Sequence, residues 1–385
     1  MKKEIRSRAS ELYNSGLTSK TDIARELTKE FPGQSLDSLR MIAQRIISKT
    51  NKGIDIAAKI AQVGSHNVPY LWLKSKEASL FVKNPHYRTV EIDFDKIISE
   101  CMDIYKPIQK IEKPNVKRFD RLIWTDVHVG MDASRKGLAL YPEDWNAGSL
   151  MCRIDIMVDF TIANKTSDLL VIDELGDFLD GYDGYTTRGG HKLPQNMTNE
   201  EAFDNGLKAK VYLIERLSKH YTYIRCNNIC EDNHAGSFGY ILNSAFKSVI
   251  DCKYENVEVT NIKRFIDHYI IGDHGFIISH GKDSRNLKFG FKPQLDPKSA
   301  GKISEYIRMH HDLRCCKFIE FSKGDSHQAL FDMASSDEFD YFNYPAFSPS
   351  SEWVQTNFKK GRSGFVLQHI DMHSDRKDLK TYFFN

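Results

Sequence analysis

Apolar residues recur at helical spacing in the first part of this sequence and gather into short unbroken runs in the rest; the pattern changes near residue 119. Ser7 to Ser15 reads as a helix stopped by Gly16. Thr18-Ser-Lys-Thr opens a second, with Ile23, Ala24, Leu27 and Phe31 at helical spacing, and Pro32-Gly33 ends it. Ser35 precedes a third, which carries Leu36, Leu39, Ile42, Ala43, Ile46 and Ile47. Beyond it, Tyr70-Leu-Trp-Leu and Ser79-Leu-Phe-Val read as short strands around Lys74-Ser-Lys. Phe94 to Ile108 reads as a helix, and Lys110 to Arg118 has the polarity and proline of a linker.

From Phe119 onward each apolar run ends in a cluster of Asp, His, Asn and Gly. Arg121-Leu-Ile-Trp-Thr leads to Asp126-Val-His128, Leu169-Leu-Val-Ile to Gly176-Asp177, and Tyr221-Thr-Tyr-Ile to Asp232-Asn-His234. Phe276-Ile-Ile-Ser leads to His280-Gly281, and Phe318-Ile-Glu-Phe to Gly324-Asp325-Ser-His327. Helical stretches at Trp145–Asn164 and Glu200–Lys219 lie between them. Strands alternating with helices predict an α/β domain, and ligands in such sheets gather at the carboxyl ends of the strands. Gly272-Asp273-His-Gly275 reads as a hairpin turn. Gly364-Phe-Val-Leu and Thr381-Tyr-Phe-Phe read as a sheet edge and a cap. The expected organisation is a helical domain over residues 1–50, a basic connecting region of mixed strand and helix over 51–118, and a catalytic domain over 119–385.

Composition changes the picture in two places. The 54 Lys+Arg against 52 Asp+Glu nearly cancel, but residues 1–118 hold 22 basic and 14 acidic side chains, a net of +8, and the remainder is net −6. A basic front on an acidic body fits a nucleic-acid-facing appendage on a domain that gathers cations. The three short helices, with Arg25, Arg40, Arg45 and Lys49 around them, resemble a helix-turn-helix unit; a small packing or oligomerisation bundle is the alternative. Seven cysteines without a CxxC pair argue against a disulfide framework or zinc ribbon. No apolar run approaches the roughly 18 residues of a membrane span, and the first residues lack the apolar stretch of a secretory signal. No membrane partner and a cytoplasmic location are therefore expected.

Asp, His and Asn in one cleft form a mixed oxygen and nitrogen ligand set suited to Mn²⁺, Mg²⁺, Fe²⁺ or Zn²⁺. Two such ions roughly 3.5–4 Å apart can stabilise an in-line displacement at phosphorus, with a free histidine protonating the leaving oxygen. No single motif carries this reading. Asp-x-His occurs four times, at 126, 232, 325 and 371, and Gly-Asp occurs at 176, 272 and 324. Order and strand context select among the copies.

The ordered set D-x-H, G-D-x-x-D, N-H, H-G and G-x-x-H over roughly residues 119–335 resembles the calcineurin-like metallophosphoesterase superfamily, in particular its DNA-repair nuclease and phage-encoded phosphoesterase branch. The resemblance implies two facing mixed β-sheets flanked by helices and a dinuclear metal site using a bridging hydroxide. It assigns Asp126, His128 and His327 to one metal, Asp177 as the bridge, and Asn233 and His280 to the other. It makes His234 the group that protonates the leaving oxygen and Asp180 the residue that orients it. Two departures stand out. The family's G-H-x-H is here Gly324-Asp325-Ser-His327, so Asp325 replaces an imidazole at the second metal and shifts the preference toward Mn²⁺ or Mg²⁺. The family's G-N-H is here Asp232-Asn-His234, with Asn227-Asn228 as a rival alignment. His310-His311 reads as surface, His191 and His274 as loop residues, and Cys226 and Cys230 as buried strand thiols.

The Gly- and Tyr-rich stretch after Asp180 offers Tyr182 and Tyr185 to stack on a base and Arg188 to grip a phosphate. The resulting expectation is a metal-dependent DNA nuclease with two divalent ions, Mn²⁺ foremost, working in the host cytoplasm if phage-encoded, and with a homo-oligomer open. The alternatives are a phosphodiesterase or phosphomonoesterase of small substrates, for which residues 1–118 would be dispensable, and a non-catalytic DNA-binding protein on the same fold.

Overall fold

The computed structural model describes residues 2–61, 68, 70–74, 79–84, 108–281, 292–357 and 360–384, and the chain divides into two compact units, Met1–Cys101 and Met102–Asn385. The helix expected over Phe94–Ile108 lies, apart from its last residue, outside the described residues. The first unit opens with helices α1 (Lys2–Asn14), α2 (Lys20–Glu30) and α3 (Leu36–Ala61), followed by strands β1 (Tyr70–Lys74) and β2 (Ser79–Lys83), which pair antiparallel. Ser19 caps α2 by accepting the amides of Thr21 and Asp22. Ile5, Ala9, Ile23, Ala24, Leu27, Leu39 and Ala43 close a small core. The third helix does not stop near residue 49. Thr50, Ile54 and Ala58 continue the buried stripe at spacings of four, so α3 runs on to Ala61 despite Gly53. The side chain of Asn14 bonds the backbone of Phe81 and Lys83, tying the hairpin to α1.

The second unit is a four-layer arrangement. Its larger sheet holds β3 (Arg118–Trp124), β4 (Leu169–Glu174), β5 (Tyr223–Ile229), β6 (Val257–Ile262), β12 (Gly364–Asp371) and β13 (Lys377–Phe383) in the order β13-β12-β3-β4-β5-β6. Strands β3 to β6 are parallel, while β12 runs antiparallel to both neighbours. The smaller sheet has the order β10-β11-β9-β8-β7, from β7 (Ile266–Ile271), β8 (His274–Ser279), β9 (Phe318–Lys323), β10 (Leu330–Asp332) and β11 (Asp340–Asn343). Residues alternate along β3. Leu122 and Trp124 face α4 (Ala147–Ala163), α5 (Asn199–Leu217) and α6 (Ser237–Lys253), whereas Phe119 and Ile123 join Phe276, Ile278, Phe342 and Tyr344 between the sheets. The far face of the smaller sheet packs on α7 (Pro297–Met309) and α8 (His311–Arg314) through Ile303, Ile307 and Leu313. The fold is thus two facing mixed sheets flanked by helices. Among the described residues no helix is long and apolar enough to cross a membrane.

Gly272-Asp273 forms the two-residue turn between β7 and β8, with Gly272 at φ +59°. One expectation is corrected. Gly364-Phe-Val-Leu is not a sheet edge: β12 is buried along nearly its whole length between β3 and β13, and only β13 lies at the edge. Its apolar run Phe365–Leu367 fits burial on both faces, and the buried Gln368 and His369 beyond it find partners in Glu320 and Asp120.

Candidate metal centre

Five loops at the carboxyl ends of β3, β4, β5, β8 and β9 bring the sequence-selected residues together. Asp126 and His128 follow β3, Asp177 and Asp180 follow β4, Asn233 and His234 follow β5, His280 follows β8, and Asp325 and His327 follow β9. The first six come from the larger sheet and the last three from the smaller, so the site straddles both. Direction settles the repeated motifs. Because β12 is antiparallel to β3, Asp371 lies beside Arg118 at the opposite end of the sheet and pairs with it at 2.7 Å. Asn227 and Asn228 lie within β5 and bond Asp173 and Asn261.

Three groups of ligand atoms lie within 4.8 Å of one another: Asp126, His128 and His327; Asp126, Asp177 and His280; and His128, Asp177 and His234. The Nε2 atoms of His128 and His327 face each other at 3.2 Å, and His327 Nε2 is 3.3 Å from Asp126 Oδ1. On the other side, His280 Nε2 is 2.9 Å from Asn233 Oδ1, 3.1 Å from Asp177 Oδ2 and 3.7 Å from Asp325 Oδ1. The His280 ring is oriented by Nδ1, which donates to the Leu175 carbonyl at 2.9 Å, and this turns Nε2 inward. The Oδ1 of Asp126 and the Oδ2 of Asp325 are buried without a hydrogen-bond partner among the described residues. Buried carboxylate oxygens and imidazole nitrogens converging within a few ångströms of one another fit divalent cations. Asp126, His128 and His327 would hold one, Asn233, His280 and Asp325 a second, and Asp177 would be shared.

The backbone is bent to present these groups. Asp126, His128, Asp177, Asp325 and His327 all have positive φ, between 46° and 67°. Non-glycine residues adopt that conformation at a cost of roughly 1–3 kcal/mol each, and such strain persists where surrounding contacts over-determine it. Here Asp126 N donates to Gly176 O and His128 N to Asp177 O, while Asp126 Oδ2 accepts from Thr125 Oγ1 and Asp325 N. Gly176 approaches so closely that a Cβ would sit 2.8 Å from His280 Nδ1, and a Cβ on Gly324 would lie 2.1 Å from Thr125 Oγ1. Asp232, where the family pattern has glycine, builds the turn by another route. Its Oδ1 accepts the amides of Ala235 and Gly236, and its Oδ2 accepts that of Asp177. Burial and the Asp177 charge push its carboxyl up to about 7.

The electrostatics are those of an anionic cradle. Burial works against ionising Asp126, yet the His327 and His280 charges hold it at about 2. Burial also opposes ionisation of Asp177, and His234 and His280 take it well below the usual carboxylate range. Conversely, His280 is held protonated well above the ordinary imidazole value by Asp177, Asp126 and Asp325 despite its burial. His234 is raised to about 9 by Asp177 and Asp180, again against burial. Protons on imidazoles thus fill the role of cation charge. A divalent ion competes with the His280 proton, so affinity should rise with pH above the ordinary imidazole range and loading should release protons. Mn²⁺ calorimetry in buffers of different ionisation enthalpy reads this directly, and an unchanged proton count would contradict it.

Asp180 Oδ1 stands between two rings, 3.0 Å from His128 Nδ1 and 3.3 Å from His234 Nδ1. His234 is the more accessible ring and lines a cleft of about 400 Å³ with His128, Asp180, Asn233, Asp325 and His327. Arg188, from the Gly- and Tyr-rich stretch, lines the same cleft, as do His191 and Lys192; Tyr182 and Tyr185 lie outside its lining. Tyr182 instead sets its ring edge against Phe238, 5.2 Å between centroids. His274 is a buried strand residue, and Cys226 and Cys230 are buried thiols pushed up to about 12 by burial. Two contributors had no sequence signal. Trp145 Nε1 donates to the His128 carbonyl at 2.9 Å, and buried Lys210 pairs with Glu174 at 3.1 Å while Glu174 accepts the Gly176 amide at 2.7 Å.

No protein-family model matches this sequence, and neither does any curated protein sequence. Among solved structures the chain is similar to the calcineurin-like phosphoesterase YfkN from Bacillus subtilis, at 9% identity over 69% of this chain and 90% of that one, with a TM-score of 0.26. At that level of overlap the likeness adds nothing to what the site's own geometry says.

Proposed function

We propose that this chain is a metal-dependent phosphodiesterase of the calcineurin-like kind that cleaves nucleic acid, most concretely a DNA nuclease. The observation that carries the reading is the convergence of Asp126, His128, Asp177, His280, Asp325 and His327 at the strand ends, five of them at positive φ, with Asp177 among two of the three ligand groups. Two divalent ions held there would supply Lewis acidity toward phosphoryl oxygens and a nucleophile at neutral pH. The chain's own residues do the rest. His234, accessible from the cleft and carrying a proton, is placed to donate it to the leaving sugar oxygen. Asp180 Oδ1, 3.3 Å from Nδ1, would orient that ring and leave Nε2 for the transfer.

The nucleic-acid assignment draws support from the first unit. There α2 and α3 meet across a short turn, a two-stranded hairpin follows, and Arg45, Lys49 and Lys52 are exposed on α3 at spacings of four and three. The test is cleavage of end-labelled single- and double-stranded DNA beside a small chromogenic phosphodiester. His234→Ala should lower kcat on DNA by roughly 10²- to 10⁴-fold with metal content unchanged. An undiminished kcat would remove His234 from the chemistry, and hydrolysis of the small ester with DNA untouched would move the function to small substrates.

A further inference from the structure

The cleft continues past the ligand cluster to a wall of different chemistry. Trp353, Val354, Leu193, Pro194 and Met131 line it there, beside Arg188 and Lys192. Trp353 sits on a short helix, α9 (Glu352–Asn357), yet its presentation is firm because its neighbours anchor that helix. Val354 is 2% exposed. Gln355 accepts the Tyr141 amide at 2.8 Å and donates to the carbonyls of Ser350 and Tyr141. With those side chains directed inward, Trp353 is left 47% exposed beside the cleft. Of the four acids in the lining, Asp180 and Asp325 belong to the ligand cluster, and the other two are engaged locally, Asp132 by the Ser134 amide and Glu352 by the Thr356 hydroxyl.

A polar end that takes phosphate, joined within one cleft of nucleotide size to a flat apolar face flanked by cations, matches a substrate with a planar group a few bonds from phosphorus. We propose that Trp353 forms a base-binding subsite, stacking on the nucleobase next to the scissile phosphate while Arg188 and Lys192 face the neighbouring phosphates. The inference rests on the phosphodiesterase reading and gives it a substrate class. A base inside a duplex has its faces covered by its neighbours, so the site takes unpaired DNA: single strands, or the frayed end of a duplex. Trp353 takes the role that the sequence reading gave to Tyr182 and Tyr185.

The test uses the full chain loaded with Mn²⁺ and two end-labelled single strands, one intact and one with a run of abasic tetrahydrofuran residues. Trp353→Ala should lower kcat/KM on the intact strand by roughly 5- to 100-fold, the range of one lost base–aromatic stack, and leave the abasic strand unchanged. Trp353→Phe should recover most of the loss. Equal losses on both strands, or none on either, would overturn the subsite. If the wild-type chain cuts neither strand, the phosphodiesterase reading fails by itself. The subsite is then read from quenching of tryptophan fluorescence by a nucleoside 5′-monophosphate, which should be present in wild type and absent in Trp353→Phe. Equal quenching in the two would overturn it.

Discussion

Asp177→Asn is expected to abolish phosphodiester cleavage, by at least about 10³-fold, and to cut bound metal from two ions to one or none. Removing one electrostatic donor from a preorganised site costs roughly 10²–10³. Asp177 does more than a single donor. It contributes to two of the three ligand groups, its Oδ2 lies 3.1 Å from His280 Nε2, and its Oδ1 accepts the His234 amide, which shapes the loop that carries Asn233 and His234. Asparagine keeps the volume and loses the charge, so folding should survive while the cradle loses the anion that the proposed ions would share. Metal content by mass spectrometry and turnover on DNA check this together. Two bound ions with activity near wild type would remove Asp177 from the centre.

The second large effect concerns stability. Arg121 is fully buried between the sheets, and its guanidinium reaches Asp173 on β4 at 2.6 Å, Glu320 and Ser322 on β9, and Gln368 on β12. The partners are themselves satisfied. Tyr269 and Asn227 bond Asp173, and Tyr344 and Gln368 bond Glu320. Phe276 lies under the guanidinium at 4.6 Å. Arg121→Met would leave Asp173 buried without its cation, and breaking a buried pair in this way costs about 3–5 kcal/mol. Urea unfolding should show that loss in the midpoint. Because Asp126 follows β3 and Asp325 follows β9, the same network holds the two halves of the metal centre in register, so Mn²⁺ affinity should fall as well. A loss below about 1 kcal/mol with unchanged affinity would show that the sheets are held without it.

What could be read in the sequence, and what could not, follows from how local each signal is. Asp126, His128, Asp177, His280, Asp325 and His327 were legible because each follows an apolar run, and the ends of buried strands collect at one edge of a sheet. The fourth Asp-x-His, at 371, was separable only through strand direction, which one apolar run does not encode. The interior place of β12 was missed because the chain returns from far along the sequence to pair beside β3. Arg121, Lys210 and Glu174 look like solvated charges in the sequence, since their partners are up to 247 residues away. Trp353 gave no signal for the same reason. The helix that carries it meets the cleft only after β9 and β11 have brought residues 344–351 past the Asp126 loop, where Phe347 and Ser348 donate to Thr125 and Asp126.

The most direct measurement strips the protein with EDTA and restores Mn²⁺ in measured equivalents while following cleavage of end-labelled single-stranded DNA. Activity should vanish on stripping and return in proportion to added metal, with a plateau near two equivalents, and Asp177→Asn should stay inactive throughout. Cleavage that persists after stripping, or no cleavage with Mn²⁺, Mg²⁺, Fe²⁺ or Zn²⁺ in turn, would contradict the metal-dependent nuclease reading.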